Sequence, residues 1–599
     1  MAVTPVVMCV SGAGEAVARR VAEALSVPLH GRVGRVPGAD VSFDNALEFA
    51  REMFAAGRPV VGVCASGILI RAVAPLLGDK RGEPPVVSVS DDGAVVVPLL
   101  GGHRGANRLA REIAGALEAV AAVTTAGDVT LGLALDEPPV GWRLGTPELA
   151  QDAMARLLAG EGARVEGAAD WLAGLPEGEM RIVAGVGAPE EGVLTFHPQR
   201  FALGVGCSRG CPVEELEALV SGMLAEAGVA PGALAGLFTL DVKADEPAVL
   251  ALAAKWDLPL RVFSAEELEA EAGRLATPSE VVFAEVGCHG VSEGAALAGV
   301  GEGALVCPKR KSAMATCALA EADGVITKMR GRARGRLSVV GIGPGQASWR
   351  TPEVSRLVSE AEELVGYGLY IDLLGPLAVG KTRSDFPLGG EEARCRYALE
   401  RAGEGRNVAL VCSGDAGIYA MGALVFELMD RSEGEMGVSA AARRVEVVCS
   451  PGVSALQGAA ARAGAPLGHD FCAISLSDLL TPREDILRRL RAAAEGDFVI
   501  AFYNPVSKTR RTLLAEAREI LLQHRSADTP VMLASNLGRA DELVRYRRLD
   551  ALEVDEVDML TVVLVGSSNS KLAMLGEGPR MYTPRGYARR IDGDLSVSR

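Results

Sequence analysis

A chain of 599 residues exceeds what one hydrophobic core supports, so three or four domains are expected. A formal net charge of −16 argues against nucleic acid as a partner. No uncharged apolar run reaches transmembrane length, and Met1 leads straight into an apolar segment, Val3 to Val10, so no membrane partner and a cytoplasmic location are expected.

Residues 1–30 read as a strand, a Ser11-Gly12-Ala13-Gly14 turn and a helix from Glu15 to Leu25. Many α/β units begin this way without a ligand, and none is expected at that turn. A second strand, Val60 to Cys64, precedes a helical Ile68 to Leu77 that carries Arg71; Gly78-Asp79-Lys80-Arg81 follows. Val86 to Ser90 and Val95 to Leu100 flank Asp91-Asp92-Gly93 as a hairpin. The second strand runs into Gly101-Gly102-His103-Arg104-Gly105-Ala106-Asn107, which opens a helix through Leu117. A glycine-rich junction of this kind turns backbone N–H groups outward and favours anions, so it could hold a carboxylate or an oxyanion. Equally, His103 could simply cap its own loop.

Between 122 and 200, short strands alternate with Ala/Gly/Glu-rich helical stretches, and a spacer or lid is the expectation. From 201 a new α/β unit begins. Its strands, among them Val281 onward, deliver polar residues at their ends: Ser208, Arg209, Asp241, Lys243, Asp245, Ser292, Glu293, Lys309, Lys311, Ser312 and Thr316. Leu305 to Thr316 closes the unit and is followed by a helix. Eleven cysteines are scattered through the chain, and the tight pair Cys207 and Cys211 lacks C-x-x-C spacing, so reduced thiols and no metal are expected. Lys328 to Arg336 is a basic, glycine-punctuated stretch that reads as a mobile tether.

Beyond it, Leu337 to Val340 runs into Gly341-Ile342-Gly343-Pro344-Gly345, a strand ending in a tight loop where a ligand can approach the backbone. The dinucleotide fingerprint is not met, and Pro344 removes one N–H that a pyrophosphate would use, which suits a nucleoside-type cofactor without phosphates. Four further strands follow, at 408–412, 445–450, 498–503 and 560–565. Their ends carry Ser413-Gly414-Asp415-Ala-Gly-Ile418, Pro451-Gly452-Val-Ser454, Tyr503-Asn504-Pro505, and Gly-Ser-Ser-Asn569. Five such strands describe an open α/β sheet with a ligand beyond the strand ends.

These motifs, together with Gly366-Tyr367, Tyr370-Ile371-Asp372 and Arg394-Cys395-Arg396, resemble the tetrapyrrole methylases, and within them precorrin-3B C(17)-methyltransferase. Ala65 to Arg71, Asp79 to Arg81 and Leu99 to Asn107 resemble the N-terminal domain of cobalt-precorrin 5A hydrolase, and 201–326 its C-terminal domain. The C-terminal domain's likeness extends to a small stand-alone cobalamin-biosynthesis protein of less certain activity. The fold class implied is multidomain α/β with open sheets and a C-terminal two-lobed methylase fold. The domains are 1–121, 122–200, 201–326, a linker 327–336, and 337–599, the last expected to fold alone.

The resemblance implies S-adenosylmethionine as methyl donor, held by Gly341, Gly343, Pro344, Gly345, Ser413, Gly414, Asp415, Ile418, Pro451, Gly452, Ser454, Tyr503, Asn504 and Pro505. Ala416 stands where the family has a proline, and the turn is expected to survive. Tyr367, Tyr370 and Asp372 are substrate candidates. In the hydrolase part, which would open a lactone and release acetaldehyde, the candidates are His103 as base or orienter, Arg104 and Asn107 as carbonyl or carboxylate contacts, and Arg71, Lys80 and Lys311 for substrate carboxylates. The partners implied are polyanionic tetrapyrroles and a second copy through the methylase domain. An N-terminal half that only binds a corrinoid is the alternative, as is a methylase acting at another ring carbon.

Overall fold

A computed structural model describes residues 3–78, 82–507, 510–587 and 591. Its first sheet has seven strands, in the order Val41–Phe43, Leu29–Arg32, Val6–Cys9, Val60–Val63, Val86–Val89, Val95–Leu100 and Val120–Ala121. Valine-rich runs suit a parallel sheet covered on both faces, because every position is then buried. Alternate residues face opposite ways. Val7, Val61 and Val87 meet helices Glu15–Ala24 and Ala106–Leu117. Val6, Met8 and Val60 meet helices Ala46–Ala55 and Ser66–Val73.

One histidine sits inside this unit. His30 is 1% exposed and its Nδ1 lies 3.3 Å from the Val7 carbonyl, while Nε2 has no partner among the described residues. Burial, and then the nearby Arg58 guanidinium, push its pKa down to about 4, with Asp40 acting weakly the other way. The folded state therefore resists protonation that the unfolded chain accepts near pH 6.5. Stability is complete above that value and falls as pH drops from 6.5 towards 4, by on the order of 3 kcal/mol. Urea titrations at pH 7 and 4.5 check this: His30→Phe should flatten the pH dependence, and an unchanged slope would acquit His30.

The middle region, read as a spacer or lid, holds the short strands and helices expected of it. Four strands, in the order Trp142–Leu144, Leu194–Pro198, Met180–Ala184 and Ala163–Glu166, form a sheet of their own. Phe196 is fully buried with Trp171 edge-on at 4.9 Å, and Trp142 meets Trp171 at 6.0 Å. This is a folded α/β unit with its own core.

The third sheet runs Ala304–Lys311, Ala315–Glu321, Phe201–Cys207, Leu234–Leu240, Leu260–Phe263 and Arg332–Ala333. Two expectations fail here. Glu280–Val286 is a helix, capped by the Ser279 hydroxyl and ended by Gly287 at φ 80°. Ala315–Glu321 is a strand despite its alanines, because it lies between two antiparallel neighbours in the sheet.

The basic stretch is a packed joint. Arg332–Ala333 pairs antiparallel with Leu260–Phe263, and Arg332 binds Asp241. Arg334 donates to the carbonyls of Arg444 and Val445 at 2.9 and 3.2 Å, and Arg336 bridges Glu446 and Glu360. Arg332 thus holds the N-terminal half, and Arg334 and Arg336 hold the C-terminal one.

The C-terminal part has two lobes. The first holds a parallel sheet ordered Thr382–Phe386, Glu363–Tyr367, Asn407–Cys412, Arg336–Gly341 and Glu446–Ser450. The second is ordered Phe471–Ser475, Val499–Tyr503, Thr561–Val565, Pro530–Ser535 and Leu543–Arg548. The five strands expected in one sheet are therefore divided three and two.

The first lobe does not stand apart from the N-terminal domain. Val354, Leu357, Ile371, Leu374 and Leu377 share one buried cluster with Phe49, Met53, Phe54 and Leu69. Arg350, 9% exposed, pairs with Glu52 across the seam. A fragment starting at residue 337 exposes this apolar face, so it should melt at a lower temperature than the same domain in the full chain. Scanning calorimetry on both tests this; equal melting would mean the seam contributes nothing.

Candidate functional site

Three parallel strand ends of the first lobe converge on glycines. Gly343 and Gly414 exchange backbone hydrogen bonds at 3.1 and 2.9 Å, with φ of 76° and 69°. Gly341 packs so closely that a Cβ there would lie 2.6 Å from the Gly414 oxygen and 2.8 Å from the Gly452 nitrogen. A Cβ on Gly452 would overlap the carbonyl oxygens of both Gly414 and Gly341. Small residues are needed here because three loops cross at backbone distance.

Asp415 ties the loops together. Its Oδ1 accepts from the Gly417 N–H at 2.8 Å and its Oδ2 from the Gly452 N–H at 3.1 Å. The side chain thus closes the turn that Ala416, in place of proline, does not restrain. Ser454 begins helix Ala455–Ala463 with a capping box, and the Tyr503 hydroxyl accepts from the Leu456 N–H at 2.9 Å.

Around this crossing lies a cavity of about 180 Å³ between the lobes. Pro344, Ser413, Gly414, Asp415, Ile418, Ser454, Tyr503 and Asn504 line it, as does Tyr370, whose phenol pKa is raised by burial. Gly341, Gly343, Gly345, Pro451, Gly452 and Pro505 are not in its wall. The sequence points to Gly343 as a place of ligand approach, but a Cβ there would meet the Trp349 carbonyl at 3.1 Å. Gly345 faces the other lobe, where a Cβ would meet the Gly538 oxygen and Arg539 Cγ, each at 2.7 Å. These glycines shape the site through backbone packing. Tyr367 stands edge-on to Tyr370 at 5.2 Å. Asp372 pairs with Arg383 at 2.7 Å, away from the cavity.

Sequence reasoning missed one wall. Asn536, Leu537 and Arg539 follow strand Pro530–Ser535, and Met559 to Val562 precede or open strand Thr561–Val565. That last strand is antiparallel to its neighbours Val499–Tyr503 and Pro530–Ser535, so its amino end reaches the site and its Gly-Ser-Ser-Asn end leaves it. The apolar run Val531 to Ala534, ending in Ser-Asn-Leu-Gly, carried the same signal as Tyr503-Asn504 and could have been found. Tyr419, Asn504 and Asn536 adopt φ of 50°, 49° and 50°, and all three line the cavity. Left-handed backbone at non-glycine residues costs on the order of 1–3 kcal/mol and gathers at functional sites. The Tyr419 hydroxyl donates to the Ala473 carbonyl at 2.8 Å, joining the lobes.

In the N-terminal domain the candidates are placed differently. Val95–Leu100 is antiparallel to Val86–Val89, so the Gly101–Asn107 loop returns to the amino edge of the parallel strands. A Cβ on Gly101, at φ 74°, would lie 3.0 Å from Pro85 Cα. The His103 side chain and all of Lys80 lie outside the described residues. Arg104 is exposed. Asn107, buried, spends both N–H groups of its amide on Thr125 at 2.7 Å and Asp128 at 2.8 Å. It therefore has no donor left for a substrate carbonyl and serves instead to pin helix Ala126–Thr130. Arg71 is exposed and donates to the Gly67 carbonyl at 3.1 Å. Lys311 is exposed on another sheet, at the end of Ala304–Lys311.

The polar strand ends of that third sheet bind one another. Arg209 meets Asp245 at 2.8 Å and Glu246 at 3.2 Å, and Ser312 donates to Glu215. Glu293, 1% exposed, accepts from the backbone of Ala276, Thr277 and Lys309 and from the Thr277 hydroxyl. Despite burial, those hydrogen bonds leave its pKa below the usual carboxylate value. Among the described residues, no group of three or more His, Cys, Asp or Glu is placed to hold a metal, and no helix is long and apolar enough to cross a membrane.

Three family models match separate parts of the chain. Residues 48–128 match the family described as Cobalamin synthesis G N-terminal, 201–320 match Cobalamin synthesis G C-terminus, and 336–553 match Tetrapyrrole (Corrin/Porphyrin) Methylases. A precorrin-3B C(17)-methyltransferase from Sinorhizobium sp is 44% identical over 255 residues, 42% of this chain and 98% of that protein. A probable cobalt-factor III C(17)-methyltransferase from Salmonella typhimurium is 43% identical over 251 residues, 42% of this chain and 99% of that protein. The solved structure of the methyltransferase CobJ is 39% identical and covers 42% of this chain and 100% of its own, with a TM-score of 0.39. Over its C-terminal part the chain belongs to the tetrapyrrole methylase family, here joined to both cobalamin-synthesis G domains, and it is an enzyme of cobalamin biosynthesis.

Proposed function

We propose that the C-terminal part methylates carbon 17 of precorrin-3B, or of its cobalt form, with ring contraction, using S-adenosylmethionine. The observation that carries this reading is the interlobe cavity, built where strand ends of both lobes meet. Its wall suits that donor: two tyrosines and apolar side chains can flank an adenine, Pro344 offers no N–H for a phosphate, and Arg539 can meet a carboxylate. When bound, S-adenosylmethionine supplies an electrophilic methyl group on a sulfonium. The chain's own task is then to align and to keep water out. Tyr419, reaching Ala473, and Arg539, reaching the Pro344 carbonyl at 3.3 Å, hold the lobes at a fixed spacing. The Tyr370 phenol is protonated at neutral pH, as an ordinary tyrosine is, and burial raises its pKa further, so it can donate a hydrogen bond to a macrocycle carboxylate or carbonyl.

For the N-terminal half we propose opening of the cobalt-precorrin 5A lactone with release of acetaldehyde, with His103 as base and Arg104 as contact to the developing oxyanion. Asn107 leaves that list, since its donors are engaged. A second reading, a module that holds a corrinoid without turnover, is favoured by the same engagement of Asn107 and Glu293 within their own domains. Mass spectrometry of products from purified full chain, given S-adenosylmethionine and cobalt-free or cobalt-bound substrates, tests both halves. A product heavier by one methyl supports the first proposal, and its absence with every substrate overturns it. Acetaldehyde in the same reactions separates hydrolase from holder.

A further inference from the structure

Two guanidinium groups beside the interlobe cavity have no carboxylate partner among the described residues. Acidic residues outnumber basic ones, 77 to 61, and Arg462, which reaches Gln346 in the loop after Pro344, is paired with Glu542 at 2.5 Å. Arg539 is half-buried in the cavity wall. Its Nε donates to the Pro344 carbonyl at 3.3 Å, and among the described residues neither Nη1 nor Nη2 has a partner and no carboxylate pairs with it.

Arg394 is 2% exposed. Its Nη1 rests on the Met421 sulfur at 3.3 Å, its Nη2 donates to the Pro387 carbonyl at 2.9 Å, and its Nε is unpartnered among the described residues. Met421 directly follows the cavity-lining Ala420, and both arginines act on the Tyr370 phenol, opposing the effect of its burial. Both cations therefore lie near enough to Tyr370 to act on it, and among the described residues no carboxylate is paired with either. An uncompensated buried charge is costly, and it persists where an anion arrives to meet it.

We propose that Arg539 is a carboxylate-holding residue of this cavity, in a field made more positive by the buried Arg394. This rests on the methyl-transfer reading above. The free edge of a guanidinium grips a carboxylate through two parallel hydrogen bonds, which a lysine reproduces only as a point charge. A carboxylate could come from the amino-acid end of S-adenosylmethionine or from the acetate and propionate arms of the macrocycle. The backbone bond from Nε to Pro344 fixes the fork's direction, so Arg539 sets which carboxylate is accepted as well as how tightly.

The test uses the full chain with Arg539→Gln and Arg539→Lys. Calorimetry is run with S-adenosylhomocysteine and with its methyl ester, which lacks the charge. If the cofactor end is held, the wild type prefers the acid at least tenfold, the glutamine variant loses that preference, and lysine restores part of it. If the macrocycle is held, S-adenosylhomocysteine binds all three alike. KM for the tetrapyrrole then rises at least tenfold in the glutamine variant, more than kcat falls, and the rise shrinks as salt is added. Either pattern supports the assignment and names the source. Unchanged binding and KM in a glutamine variant of wild-type melting temperature would overturn it. So would a lowered melting temperature with losses that lysine does not relieve, which marks Arg539 as a strap between lobes. A wild-type chain that neither binds S-adenosylhomocysteine nor turns over would overturn the methyl-transfer reading itself, and this assignment with it.

Discussion

A Gly452→Val chain is expected to lose methyl transfer and to melt well below the wild type. Gly452 lies where three loops cross: a Cβ would overlap the Gly414 and Gly341 oxygens and sit 2.6 Å from the Gly341 carbonyl carbon. None of these atoms belongs to a flexible side chain, so the strand ends themselves must part. Overpacking of a close-packed site costs typically about 1–3 kcal/mol, and backbone against backbone lies at the upper end. The loops displaced carry Ser413, Gly414, Asp415 and Ser454, all in the cavity wall. A displacement of about 1 Å in positioning groups is enough for a loss on the order of a hundredfold. Thermal denaturation and single-turnover methyl transfer measure the two effects. A valine variant with wild-type turnover would show that the crossing does not position the cofactor.

The same crossing shows what the sequence made legible. Glycine and proline punctuate strand ends for steric reasons that are local, so the loops at 341–345, 413–418 and 451–454 stand out in the sequence alone. What a glycine is small for is not local. Gly343 and Gly345 were read as openings for a ligand, yet one meets the Trp349 backbone and the other the loop of the opposite lobe. Strand direction was equally hidden: Thr561–Val565 reaches the cavity by its amino end because it runs against both its neighbours. The arginines of 330–336 read as solvated tether because charge density is visible and partners are not. Their acids, Asp241, Glu360 and Glu446, lie 24 to 110 residues away. In the middle unit the short strands and helical stretches were legible, but the core was not, because Trp142, Trp171 and Phe196 come together only after folding.

Asp415→Ala is expected to lower methyl transfer at least tenfold, about 1.4 kcal/mol, while the chain stays folded. The carboxylate accepts two backbone N–H groups on two different loops, Gly417 and Gly452. Removing it leaves the partly buried Gly452 N–H without its acceptor, at a cost of roughly 1–3 kcal/mol unless water replaces it. Ala416 cannot compensate, since without a proline ring the turn is held by the side chain rather than by its own dihedral. The loss is local because the strands beneath are fixed by the sheet, where Leu410, Val411, Val339 and Val340 are fully buried. Asp415→Asn keeps one acceptor oxygen and should fall between alanine and wild type. Two further measurements locate the effect. Calorimetry with S-adenosylhomocysteine should show weaker binding in the alanine variant, since Ser413, Gly414 and Ser454 lie on the loops it frees. Acetaldehyde release, if the N-terminal half performs it, should be unchanged, because every loop that Asp415 bonds belongs to the C-terminal part. Wild-type turnover in Asp415→Ala would mean that the two loops keep their places without it and that the cavity is held by the Tyr419 and Arg539 contacts between the lobes.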